Sequence, residues 1–313
     1  NLTYIALNLS RYVNGVAKRH GEISRLQFAT YDIDSITNGI HVGTWVSPAF
    51  RKLFDRHIMD WKTDNFSLRY AIAIRDEEVW EAHVEAKKTF IDFVNEKTGA
   101  GFDPETFTIG FARRVTSYKR SDLFLEDLER LKRMASSVGP LQLAWAGKAH
   151  PRDEPGKEMI RRIIRSTGEL GDRIKLAYVE GYDMRVGGLM TAGVDLWLNN
   201  PEPPLEASGT SGMKAALNGV PSLSVPDGWW IEGCIEGVTG WSIGEFEQEG
   251  GSRRPDRSSD AAKLYDKLEK VVIPMFYGNR ERYIRVMRNA IALNGSFFNT
   301  HRMLKQYVVR AYL

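Results

Sequence analysis

Four short apolar runs alternate with amphipathic segments through the middle of the chain, and this rhythm constrains the fold more than any other feature. Phe107–Ala112 is followed by Asp122–Ala135, Leu141–Ala146 by Gly156–Arg165, Ile174–Val179 by Met184–Ala192, and Leu196–Asn199 by Gly212–Leu217. Strands separated by helices of this length pair in parallel through right-handed crossovers. The pattern predicts an α/β fold, a parallel sheet with helices on both faces, and it puts ligands at the carboxyl ends of the strands.

The 313 residues, 42% hydrophobic and 27% charged, suffice for one large or two ordinary domains. With 43 basic and 40 acidic residues the net charge is only +3, which gives no support for a nucleic-acid or membrane-surface partner. The single cysteine, Cys234, excludes an internal disulfide framework and a cysteine-rich metal site, so no metal is expected and a reducing, cytoplasmic setting fits. No apolar run reaches the ~18 residues of a membrane span. The N-terminus, Asn1-Leu-Thr-Tyr-Ile-Ala-Leu, lacks an initiator Met and the marks of a signal peptide, so the chain reads as beginning inside a longer polypeptide.

Helical spacing from Leu2 to Phe28 predicts one or two buried helices. Ile36–Trp45 is punctuated by glycine and reads as a loop, followed by helical stretches through Asn95. Glu245–Asp260, rich in Gly, Glu, Arg and Ser, reads as a surface loop, and Ala261–Val272 and Glu281–Leu313 as amphipathic helices.

Two segments carry chemistry. In Glu206-Ala-Ser208-Gly209-Thr210-Ser211-Gly212-Met-Lys214, prolines before the turn force an extended loop, and a short helix starts near Thr210 or Ser211 and stops at Asn218-Gly219. Free amides in Gly209–Gly212 and the positive end of the helix suit a phosphate. Lys214, in the first turn, is placed to lose its proton and act as an imine-forming amine. Taken alone the motif also reads as a tight turn, and Glu206 as a carboxylate serving the helix dipole. The second segment is Arg113-Arg114-Val-Thr116-Ser-Tyr118-Lys119-Arg120 at the end of the first predicted strand, with Ser121-Asp122 as a helix cap. Four cations in eight residues can bind one or two phosphates, or form a solvated basic loop.

Glu206-Ala-Ser-Gly-Thr-Ser-Gly-Met-Lys214 resembles the cofactor-lysine motif of the α-glucan (glycogen/maltodextrin) phosphorylases, in the Ser-Gly form of the short bacterial and archaeal type. Val13-Asn-Gly-Val-Ala17 with His20 and Glu22, Thr37-Asn38-Gly39-Ile40 with Trp45, and Tyr118-Lys119-Arg120 follow in family order, so the resemblance covers nearly the whole chain. It implies the GT-B architecture, with 1–35 as the helical end of the N-terminal domain. Residues 36–290 become the Rossmann-like cofactor and phosphate domain, and 291–313 a helix packing back on the N-terminal domain. The implied reaction is phosphorolysis of α-1,4-glucan by orthophosphate, giving glucose 1-phosphate with retained configuration and pyridoxal 5′-phosphate as cofactor.

By residue, the resemblance implies that Lys214 forms the imine, that Arg113, Thr210, Ser211 and Gly212 hold the cofactor phosphate, and that Trp45 lies beside the cofactor. Arg114 and Lys119 would hold the substrate phosphate, and Asn38, Tyr118, Glu206, Ser208 and Gly209 the glucose. Trp45 also reads as core packing, Asn38-Gly39 as a turn, and His20 as a structural hydrogen-bonder. Thr116-Ser117 stand where long phosphorylases carry His-Glu, which puts sugar contacts from that loop in question. The family's N-terminal half, with its own phosphate loop, is not in these residues, so the piece alone is expected to be inactive, with exposed apolar surface and a tendency to self-associate. Two other readings stay open: a nucleotide-sugar GT-B glycosyltransferase such as a glycogen or starch synthase, and a non-catalytic glucan-binding module.

Overall fold

The computed structural model describes residues 1–246 and 256–313; residues 247–255, the middle of the predicted surface loop, lie outside the described residues. Six strands form one sheet: β1 Phe107–Ala112, β2 Leu141–Ala146, β3 Ile174–Val179, β4 Leu196–Asn199, β5 Ser222–Ser224 and β6 Gly240–Ser242. Every neighbouring pair is parallel and the order is β3-β2-β1-β4-β5-β6. The four predicted strands have the expected bounds. β5 and β6 were not anticipated, because Ser222-Leu-Ser224 and Gly240-Trp-Ser242 are too short and polar to register as strands although fully buried.

The sheet is covered on both faces, as a parallel sheet requires. Ile109, Phe111, Leu143, Trp145 and Leu176 point to one apolar cluster with α2 Leu128–Ser137, α3 Glu154–Ser166 and α6 Arg257–Lys267. Ala112, Ala144, Ala146, Ala177 and Val179 face the other, where the small side chains let α1 Asp76–Thr98 and α4 Met184–Gly193 approach closely; α5 Ser211–Leu217 contributes Ala215 to the same cluster. The chain runs outward from β1 through β2 to β3, then returns to β4 beside β1. That reversal opens a crevice at the carboxyl ends of β1 and β4.

Several expectations are corrected. Helix α2 begins at Leu128, where Asp127 accepts from Arg130 N at 2.8 Å, and not at a Ser121-Asp122 cap. Asp122 is instead held by Arg162 at 2.7 Å and Arg257 at 3.0 Å. Helix Leu2–Leu9 buries none of its residues, and Leu2 and Leu9 are 84% and 82% exposed; its ring contacts are only those of Tyr4 with Phe28 and Tyr31 among the described residues. Val42–Trp45, expected as loop, forms one helical turn. Helix α6 starts inside the expected loop, with Asp256 accepting from Ser258 N and Ser259 N.

The helix expected over 281–313 is interrupted between Gly295 and Thr300, where Asn299 caps the second piece by accepting from Arg302 N at 3.0 Å. Thr300 N also donates to Ile40 O, and Arg302 to the carbonyl of Asn38, so the last helix lies on residues 37–40. Among the described residues no helix is long and apolar enough to cross a membrane.

Asp195, just ahead of β4 at the edge opposite the crevice, is fully buried and takes Lys87 Nζ at 2.6 Å, His83 Nε2 at 2.8 Å and Thr108 N at 2.7 Å. Burial alone would raise its pKa, but Lys87 and His83 hold it below the ordinary 3.8. It therefore stabilises the fold at all pH above that value, and the contribution is lost as pH falls below 3.8 through the folded-state value. Asp195→Ala leaves a buried ammonium unpaired and is expected to cost about 3–5 kcal/mol. Urea unfolding measures this, and a loss below about 1 kcal/mol contradicts the account.

Candidate active site

At the carboxyl end of β1, Arg113 Nη1 donates to Asn199 Oδ1 at the end of β4 (2.8 Å), which closes the crevice floor across the strand reversal. Its other terminal nitrogen pairs with Glu206. Lys119 Nζ pairs with the same Glu206 oxygen at 2.5 Å and lies 4.4 Å from the centre of the Tyr118 ring. Glu206 is only 8% exposed; burial opposes its charge, yet Arg113 and then Lys119 hold its pKa below the ordinary 4.5. Burial and the neighbouring Arg113 push the Lys119 ammonium down to about 8 against the pull of Glu206. Two cations thus share one carboxylate, and the cluster keeps an excess of positive charge, to which exposed Arg114 adds its field.

The loop that presents Glu206 is held from the β5 side. Asp227 accepts from Glu206 N and Gly228 N, each at 2.9 Å, and burial pushes its own carboxyl up to about 6. Trp229 N donates to Ser208 O at 2.9 Å. Gly209 takes φ +72°, a left-handed turn that a side chain disfavours. At Gly212 an added Cβ would lie 2.8 Å from Trp229 Cζ2 and 3.0 Å from Ser222 Oγ, so only glycine lets this helix start sit on the sheet. Thr210 precedes the helix without capping it through its side chain, and Ser211 Oγ accepts from Trp197 Nε1 at 3.1 Å. Ser208 Oγ is buried and, among the described residues, has no hydrogen-bond partner.

Lys214 is placed by the same short helix. Asn218, at its end, donates to the carbonyls of Trp45 (2.8 Å) and Lys214 (2.9 Å) and accepts from Ser47 N (2.8 Å), which ties the 45–47 segment to α5. This brings the Trp45 ring under Lys214, with Nζ 3.5 Å from its centre. Among the described residues the amine has no hydrogen-bonded or ionic partner, and burial lowers its pKa to about 8. At neutral pH such an amine keeps an accessible free-base fraction, which imine chemistry needs.

Arg113, Tyr118, Lys119 and Glu206 therefore form one group, and Lys214 and Trp45 another, joined through the 206–214 loop. Asn38 is not drawn into either by its side chain among the described residues; its backbone is fixed by Val16 O and by Arg302. His20 Nδ1 accepts from Val16 N at 3.0 Å, a structural role. Arg120, counted with the phosphate-binding cations, points elsewhere: at φ +48° it is buried on Asn200 O, Pro201 O and Asp260, and it braces the loop. Asn199, Asp227 and Asn218 were missed as site builders. Asn199 had one signal, a polar residue ending a strand at the predicted ligand edge.

A doubly wound parallel sheet with a cation cluster and a half-buried amine at its strand reversal defines an α/β domain whose candidate site lies at the carboxyl ends of the strands. A family model for carbohydrate phosphorylases matches residues 1–240, and the chain belongs to that family. It is 42% identical to a maltodextrin phosphorylase of Thermococcus litoralis over all of this chain and 40% of that protein. It is 41% identical to a glycogen phosphorylase of Aquifex aeolicus, covering 49% of it, and 33% identical to one of Mycobacterium tuberculosis, covering 40%. The chain spans about half the length, or less, of these relatives.

NMR of reductively methylated lysines, assigned with Lys214→Arg, should show Lys214 titrating near 8, below the ordinary 10.5. A midpoint at the ordinary value would contradict the burial of the amine.

Proposed function

We propose that this chain is the C-terminal, cofactor-carrying part of an α-glucan phosphorylase, which moves a glucosyl unit from the non-reducing end of an α-1,4-glucan to orthophosphate. The product is glucose 1-phosphate with retained configuration. The observation that carries the reading is the pairing of Arg113 and Lys119 on one buried carboxylate, with the half-buried Lys214 amine over Trp45 on the helix that follows the same loop. Relatives named maltodextrin and glycogen phosphorylase support it.

The residues fit pyridoxal phosphate as cofactor. Lys214 presents an amine with no other partner, Trp45 offers a flat wall, and Arg113 keeps a buried Nε without an acceptor among the described residues. When bound, the cofactor supplies a phosphate that exchanges a proton with the substrate phosphate. The protein's part is to hold two phosphates close together against their repulsion. In this assignment Lys214 anchors the cofactor, and Arg113 with the Thr210-Ser211-Gly212 backbone steadies its phosphate. Arg114 and Lys119 hold orthophosphate, while Glu206, Ser208, Gly209, Asn38 and Tyr118 bind the glucosyl ring.

We assign residues 1–35 to the end of an N-terminal domain, 36–290 to the cofactor domain and 291–313 to a helix returning to the first. The remaining partner is the rest of the same polypeptide, which carries much of the glucan groove, so these 313 residues alone catalyse no phosphorolysis. A homo-oligomer and a cytoplasmic setting complete the assignment.

Borohydride reduction after incubation with pyridoxal phosphate, followed by peptide mapping, tests the cofactor assignment. A pyridoxyl group on the Lys214 peptide is expected, with loss of the imine absorption band in Lys214→Ala. A band that persists in that variant, or an adduct confined to other lysines, rejects it.

A further inference from the structure

The carboxylate of Glu206 occupies the position between Arg113 and Lys119 that an anion would take. One oxygen of Glu206 receives both cations, and all three side chains are nearly buried. Arg113 is held by a second contact to Asn199, and Lys119 is backed by the Tyr118 ring, so the cations are fixed and the carboxylate bridges them. The backbone of Glu206 is pinned separately by Asp227, so its carboxylate can leave the cations by side-chain rotation alone.

We propose that Glu206 is a built-in competitor of the substrate phosphate: its carboxylate fills the seat on Arg113 and Lys119, and orthophosphate binds by displacing it. This rests on the assignment of Lys119 to the substrate phosphate above, takes Arg113, given there to the cofactor phosphate, as the other side of the seat when no cofactor is bound, and adds a second role to Glu206. Two buried cations without an anion would be strongly unfavourable, and a carboxylate from the same chain neutralises them until phosphate arrives. The exchange is between like charges, so phosphate gains less than it would by filling a vacant seat, and its apparent affinity is the intrinsic one reduced to the fraction of molecules in which Glu206 is unseated. The displaced carboxylate then turns away from the cations. A polyhydroxyl ligand that hydrogen-bonds this carboxylate draws it off the same seat, so sugar and phosphate favour one another by linkage.

Equilibrium binding of inorganic orthophosphate to the purified chain, without cofactor, at one pH and ionic strength, tests the displacement. Glu206→Gln removes the competing charge at nearly constant shape and is expected to bind phosphate on the order of ten-fold more tightly. Glu206→Asp, whose shorter carboxylate reaches the two cations less well, should fall between it and the parent. Circular dichroism melting verifies that each variant is folded, and the two variants give independent readings. Phosphate affinity in both variants equal to or below that of the parent overturns the proposal.

Arg113→Gln and Lys119→Met separate this failure from that of the seat itself. If they bind phosphate as the parent does, the seat is wrong and the proposal falls with it. If they lose binding while Glu206→Gln gains none, the seat stands and only the displacement is rejected.

Discussion

The reversal of strand order between β1 and β4 is the constraint on which the rest depends. Because the sheet is parallel and buried on both faces, its loops can gather functional groups only at the strand ends, and the gap between β1 and β4 is the one place where two loops diverge in opposite directions. Arg113 leaves β1 and Asn199 ends β4, so their hydrogen bond spans that gap. The Glu206 loop then follows directly from β4, and the Lys214 helix directly from the loop. At the other edge of the same two strands, Asp195 with Lys87 and His83 locks α1 to the sheet. One end of the β1/β4 pair is a closed charge network in which Asp195 takes Lys87 and His83; the other is a cluster in which two cations share one carboxylate.

That asymmetry suits the phosphate-binding role proposed for the open end. Charges at the closed end are neutralised within the fold and contribute to stability. At the open end Arg113 and Lys119 share one carboxylate, and burial lowers Lys119 and Lys214 to about 8. The energy withheld from folding there is available to anionic ligands. Arg120 separates the two uses within one loop: its neighbour Lys119 faces the crevice, while it is itself turned through a left-handed residue into backbone carbonyls.

Much of this was legible in the sequence, and the parts that were not have physical reasons. Apolar runs gave the four central strands because hydrophobic continuity is a local property. Strands β5 and β6 escaped because three-residue strands bearing serine and glycine borrow their burial from neighbours. The Gly209–Lys214 turn could be read directly, since left-handed φ and close packing leave glycine as their trace. Which of four clustered cations would face the ligand could not, because Arg120 is claimed by Asp260 far along the chain. Asp227 and Asn218 likewise act through backbone groups outside their own segments, Glu206 N and Ser47 N. The apolar spacing of Leu2–Leu9 predicts burial, but only Tyr4 finds aromatic neighbours, Phe28 and Tyr31, and Leu2 and Leu9 stay exposed.

The central claim is that this cluster serves phosphorolysis with pyridoxal phosphate. Its most direct test is an assay of the whole polypeptide containing this segment with maltodextrin and orthophosphate, scored for glucose 1-phosphate before and after removal of pyridoxal phosphate. The account predicts glucose 1-phosphate formation that disappears with the cofactor and returns when it is restored. Glucose 1-phosphate formation that is indifferent to the cofactor, or glucan binding with no phosphorolysis at all, would contradict it.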